Sequence, residues 1–68
     1  MAGVSYKKLW KLLIDKDMKR TDLTRAAGVS PSVITKLGKN EMVSLQTLVN
    51  ICVALRCGIG DIVEVRHE

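Results

Sequence analysis

Residues 26–40 read AAGVSPSVITKLGKN, and their polar members are of one kind. Ser32, Thr35, Lys36 and Lys39 supply hydroxyls and ammonium groups, and the stretch contains no carboxylate. Such a set can hold an anion through hydrogen bonds and charge, but it lacks the base that proton transfer requires. The rest of the chain offers no better case for catalysis. Its one histidine, His67, is near the end, and no Ser-His-Asp set, paired carboxylates or phosphate loop can be assembled. The reading is therefore that the protein is not an enzyme and uses no cofactor or metal. Cys52 and Cys57, five apart, fit no metal-ligand spacing and read as small buried hydrophobes in a reducing compartment.

Charge is concentrated in the same part of the chain. Residues 16–40 carry Lys16, Lys19, Arg20, Arg25, Lys36 and Lys39 against Asp17 and Asp22, so the whole formal net charge of +4 lies there. The remaining basic and acidic residues cancel. A localised excess of this kind is the footprint of a polyanion-binding surface, with an incidentally basic solvated face as the plainer alternative.

A chain of 68 residues is one domain at most, here 1–68, and 47% hydrophobic residues are ample for a core. With no Phe, one Trp and one Tyr, that core must be aliphatic. The mean hydropathy of +0.13 speaks against disorder. No apolar run approaches the roughly 18 residues of a membrane span, and the N-terminus lacks the apolar stretch of a signal peptide. A cytoplasmic protein is expected, with no membrane contact and no evident small-molecule ligand.

Apolar spacing predicts helices throughout. Residues 5–17 form the first, with Ser5 as N-cap, a stripe of Tyr6, Leu9, Trp10, Leu13 and Ile14, and Leu12 half-exposed beside it. Residues 20–27 form the second, carrying Leu23, Ala26 and Ala27, and Gly28 ends it in the left-handed conformation. Val29 plugs the turn, Ser30 caps the third helix and Pro31 occupies its first position, where no hydrogen bond is lost. Gly38 is expected to stop that helix after Leu37. Ser44 then caps a fourth over residues 45–57, with Leu45, Leu48, Ile51, Cys52 and Leu55 inward, broken by Gly58 and Gly60. The segment DIVEV at 61–65 reads as a last turn or a short strand.

Leu23, Ala27, Gly28, Val29, Ile34 and Leu37 stand at offsets 0, 4, 5, 6, 11 and 14, a spacing that closes a two-helix hairpin. This resembles the helix-turn-helix of the phage-repressor (Cro-like, XRE-like) transcriptional regulators, placed at about residues 20–38. The likeness runs over nearly the whole chain, and LRCGIGDIVE is similar to a subgroup of very small members. Thr24, where the family usually has Ala, is a tight fit; Arg20 and Gly38 replace a usual Gln and Glu.

The resemblance implies an all-α, lambda-repressor-like domain of four to five helices that binds double-stranded DNA and regulates transcription. Its recognition helix, 31–37, would lie in the major groove, short and small-faced so that it can approach the bases. Position by position, Pro31, Ser32, Thr35 and Lys36 would read bases, while Arg20, Ser30, Lys39 and Asn40 would hold phosphates. Ser30 is open between N-cap and phosphate contact, Lys36 and Lys39 between DNA contact and solvated charge, and Arg25 reads as solvent-facing. The rival reading is a protein-interaction module, an antitoxin-like partner that reuses the fold; RNA binding lacks the aromatic residues that single strands stack on. A homodimer is expected through residues 61–68, where Ile62, Val63 and Val65 look uncovered, unless they fold back on helix one. Stability is expected to rest on a seam between helices one and four.

Overall fold

The computed structural model describes residues 3–67. A short strand β1 (Gly3–Ser5) leads into helices α1 (Lys7–Asp15), α2 (Arg20–Ala27), α3 (Pro31–Gly38) and α4 (Leu45–Leu55). A 3-10 turn (Ile59–Asp61) and a strand β2 (Glu64–Arg66) complete the described chain. The helical fold is as expected, and β1 and β2 add a two-stranded antiparallel ribbon that pairs Gly3 with Arg66, Val4 with Val65 and Ser5 with Glu64. DIVEV thus supplies both the end of a turn and part of a strand.

The ribbon changes the start of α1. Ser5 belongs to the strand, and Tyr6 takes the N-cap position. The Ser5 hydroxyl still accepts a long 3.4 Å hydrogen bond from the Lys7 N–H. At the other end, Asp17 adopts φ 56°, and the Met18 N–H reaches back to the Leu13 carbonyl (2.9 Å), ending the helix earlier than residue 17.

Four left-handed residues (Asp17, Gly28, Asn40 and Arg56) follow the four α-helices, and only one is glycine. Gly38 does not stop α3; it is the last residue within it. The reversal comes at Asn40, where the Glu41 N–H bonds to the Lys36 carbonyl (2.9 Å) and the Asn40 N–H to that of Leu37 (3.2 Å). Likewise α4 ends at Leu55 with Arg56 left-handed, ahead of Gly58, which instead donates its N–H to the Asp61 carboxylate and starts the 3-10 turn (2.9 Å).

The core gathers Tyr6, Leu9, Leu13, Leu23, Ile34, Leu37, Ile51, Cys52, Leu55 and Ile62. Of the predicted stripes, Trp10 and Leu48 are half-buried against this core, and two positions are exposed, Ile14 at 75% and Leu45 at 67%. On α4 the enclosure grows along the helix, from Leu45 through Leu48 to Ile51, Cys52 and Leu55. Ala26 also faces solvent, while Leu12 is half-buried as expected. The principal helical seam is not between α1 and α4: α4 packs chiefly on α2, and α1 rests against the 3-10 turn. Ile62, 0% exposed, belongs to this core and is unavailable to a partner.

Candidate nucleic-acid interface

Helix α2 starts with a carboxylate turned to internal use. The Lys19 N–H donates to Asp22 Oδ2 (2.9 Å), and Arg25 Nη2 donates to Asp22 Oδ1 (3.1 Å). The Lys19 hydrogen bond foremost, with Arg25 beside it, holds the Asp22 carboxyl below its usual range. Asp22 therefore stays ionised at the helix N-terminus, where negative charge is favoured, and Arg25 is occupied with it. The exposed Arg25 side chain agrees with its expected solvent-facing role.

Gly28 makes the turn at φ 66°, and the Val29 N–H closes it on the Thr24 carbonyl (3.2 Å). Val29 packs against the core. Thr24 fits because it is half-buried with its hydroxyl donated to the Thr21 carbonyl. Helix α3 then opens with Ser30 at the N-cap and Pro31 behind it. The Ser30 hydroxyl does not cap the backbone; it pairs with the Ser32 hydroxyl at 2.8 Å. Ser30 is thus an N-cap by position only.

All eight residues singled out from the sequence are exposed. Pro31, Ser32, Thr35 and Lys36 occupy the outer side of α3, whose inner side buries Ile34 and Leu37. Thr35 donates its hydroxyl proton to the Pro31 carbonyl (3.2 Å), so it presents an oxygen lone pair and a methyl group outward. Lys36 and Lys39 have no acidic partner among the described residues. The surface these groups form is cationic and hydroxylic, with its one internal acid already neutralised.

Two of the eight are tied down in ways the sequence did not signal. Arg20 lies over the indole of Trp10, with its guanidinium carbon 4.1 Å from the ring centroid. Asn40 accepts the Tyr6 N–H on Oδ1 (3.1 Å), while the Tyr6 hydroxyl donates to the Glu41 carbonyl (2.8 Å). Burial pushes the Tyr6 phenol upward, so it remains a donor. Tyr6 thereby anchors the segment after α3 from 34 residues away. Trp10 and Tyr6 read from the sequence as core alone, since no local spacing pairs them with Arg20 or Asn40.

Among the described residues, no three His, Cys, Asp or Glu side chains are grouped to hold a metal ion, and no helix is long and apolar enough to cross a membrane.

The family model of the Cro/C1-type HTH DNA-binding domain matches residues 8–68. The crystal structure of the transcriptional regulator VanUg (form II) is similar to this one, with a TM-score of 0.93 and 58% sequence identity over 98% of this chain and 89% of that chain. No curated protein matches the chain significantly.

Proposed function

The chain belongs to the Cro/C1-type helix-turn-helix DNA-binding family, and from that membership we infer that it is a sequence-specific regulator of transcription acting on double-stranded DNA. The observation that carries the reading is the outer side of α3. Pro31, Ser32, Thr35 and Lys36 stand exposed there without a carboxylate among them, directly opposite buried Ile34 and Leu37. A short helix with small polar groups and one long cation can enter the major groove and meet base edges, Lys36 at guanine O6 and N7 and the Thr35 methyl at thymine. Arg20, Ser30, Lys39 and Asn40 flank it and take phosphates. For Asn40 this contact falls to the amide NH2, since Oδ1 is held by Tyr6.

The function is binding, not catalysis, and its place is the cytoplasm, where the free Cys52 and Cys57 stay reduced. One short helix reads few base pairs, so two copies related by a two-fold axis would place paired helices about one DNA turn, roughly 34 Å, apart. Residues 61–68 are the expected contact, but Ile62 is in the core, half-buried Val63 packs against it, and Glu68 lies outside the described residues. Val65, 58% exposed, is left there, so the contact is extended to the shallow hollow that Val49, Val53 and Ile59 line between α4 and the 3-10 turn.

The test is selection of duplexes from a random pool by the purified protein, followed by affinity across a salt series. A recovered consensus with two half-sites and a steep salt dependence is expected. Absence of any consensus, with a protein partner co-purifying in a salt-resistant complex, would favour the interaction module instead.

A further inference from the structure

We propose that Trp10 is a positioning residue for DNA binding: its ring holds the Arg20 guanidinium ready for a phosphate. The inference rests on the reading of Arg20 as a phosphate contact. A cation centred 4.1 Å from an indole centroid is well inside the distance at which the ring quadrupole attracts it, and tryptophan is the strongest aromatic partner. Trp10 is half-buried and packed against the core, so the platform itself is fixed.

The last turn of α3 bounds the guanidinium as well. A Cβ added at Gly38 would lie 3.2 Å from Arg20 Nη1, closer than most such contacts. Gly38 has no positive φ, so its backbone does not demand glycine, and glycine within a helix is unfavourable relative to alanine. What the missing Cβ provides is room for Arg20. The guanidinium therefore sits where α1, the start of α2 and the end of α3 meet.

A guanidinium carbon 4.1 Å over a ring centroid leaves the N–H groups on its far side free, and those are what a phosphate takes. No carboxylate competes for them: among the described residues Arg20 has no ion pair, and Asp22, two residues on, is held by Lys19 and Arg25. An arginine otherwise loses much rotamer freedom on binding, and pre-ordering by the ring removes part of that loss beforehand.

The experiment measures duplex affinity across a salt series for the wild-type chain, Arg20→Ala, Trp10→Leu, Trp10→Phe and the double variant Trp10→Leu/Arg20→Ala. Arg20→Ala should lower the salt slope by about one. Trp10→Leu should weaken specific and scrambled duplexes alike by about two- to fivefold, Trp10→Phe should restore most of that, and Trp10→Leu should cost nothing further once Arg20 is gone. An equal loss from Trp10→Leu with and without Arg20 would overturn the proposal, because the ring would then act only through the fold. An unchanged salt slope in Arg20→Ala, with the wild type binding normally, would also overturn it while leaving the DNA-binding reading intact. Should Trp10→Leu not fold, the fluorescence of Trp10, the one tryptophan in the chain, decides. Duplex addition should change it in the wild type and not in Arg20→Ala, and an equal change in both would count against the proposal.

Discussion

Residues 20–40 and residues 44–67 are each built on helices with an apolar inner side, yet their outer sides are opposites. Between Arg20 and Asn40 no large apolar side chain is exposed, whereas Val53 is 72% exposed and Leu45, Val49, Ile59 and Val65 join it in the later stretch. Charges divide the same way. The first stretch has Arg20, Arg25, Lys36 and Lys39 against Asp22, and the second balances Arg56 and Arg66 against Asp61 and Glu64. An outer face that must lie between phosphates gains from cations and small polar groups and loses from bulk. An apolar outer face gains only when something removes it from water, at roughly 25 cal/mol per Å². The contrast suits the first half to nucleic acid and the second to the partner surface proposed above.

The largest expected effect joins the two halves. Leu23 of α2 is completely buried where that helix packs on both α3 and α4, so Leu23→Ala should cost roughly 2–5 kcal/mol and lower the stability of both regions in a single transition. Urea denaturation followed by circular dichroism checks this, and two separate transitions would show that the halves fold independently. Leu48→Ala, at a half-buried site, should cost about 1–2 kcal/mol in the same assay, at or below the bottom of the large-to-small range.

Within residues 20–40, Lys36→Ala should cost about 1–3 kcal/mol on the preferred duplex and relax preference at one or two positions. Arg20→Ala should instead weaken preferred and scrambled duplexes together. If Lys36→Ala also weakens both equally, the outer side of α3 is a general basic patch and reads nothing.

Val53→Glu probes the other half. Its effect should be confined to DNA with two half-sites, where cooperative affinity falls about tenfold, or about 1.4 kcal/mol. Binding to a single half-site and unfolding stability should stay within about 0.5 kcal/mol of wild type. Equal losses on one and two half-sites would remove this face from the proposed dimer. Truncation after Ile62 would be a poorer probe, since it strips β1 of its partner strand.

The smallest expected effect belongs to Asp22. Its folded-state carboxyl titrates below the ordinary value of 3.8, so the stabilisation it provides is present above that pH and is lost as pH falls through the folded value. Asp22→Asn should therefore unfold at slightly lower temperature at neutral pH, and the difference from wild type should vanish in strong acid. A difference that persists unchanged in strong acid would show that the carboxylate charge is not its source.

Helix α2 was legible to the residue, Arg20–Ala27, because Gly28 and Ser30-Pro31 punctuate it through their own backbone preferences. The eight candidate contacts were legible as an exposed set for a related reason: they lie among strongly apolar positions at helical spacing. Glycine was a poorer guide elsewhere. Asn40 and Arg56, not Gly38 and Gly58, turn the chain after α3 and α4, and Asp17 turns it after α1, since about 1–2 kcal/mol of backbone strain is small beside the packing that places each helix end. Asn40 moreover answers to Tyr6, and Gly38 to Arg20, at separations no local pattern reaches.

By itself, then, the amino-acid sequence determined the helical periods, the glycine turn, the aliphatic core and the basic middle third, all properties of neighbouring residues. Tertiary structure decided which parts of each stripe are covered. Ile14 and Leu45 share their helices with buried leucines yet stay in water, while Ile62 goes inside. It also paired Gly3–Ser5 with Glu64–Arg66 and laid Arg20 on Trp10. Periodicity says which way a side chain points, but burial depends on whether another element lies opposite, and that is set only when the whole chain has packed.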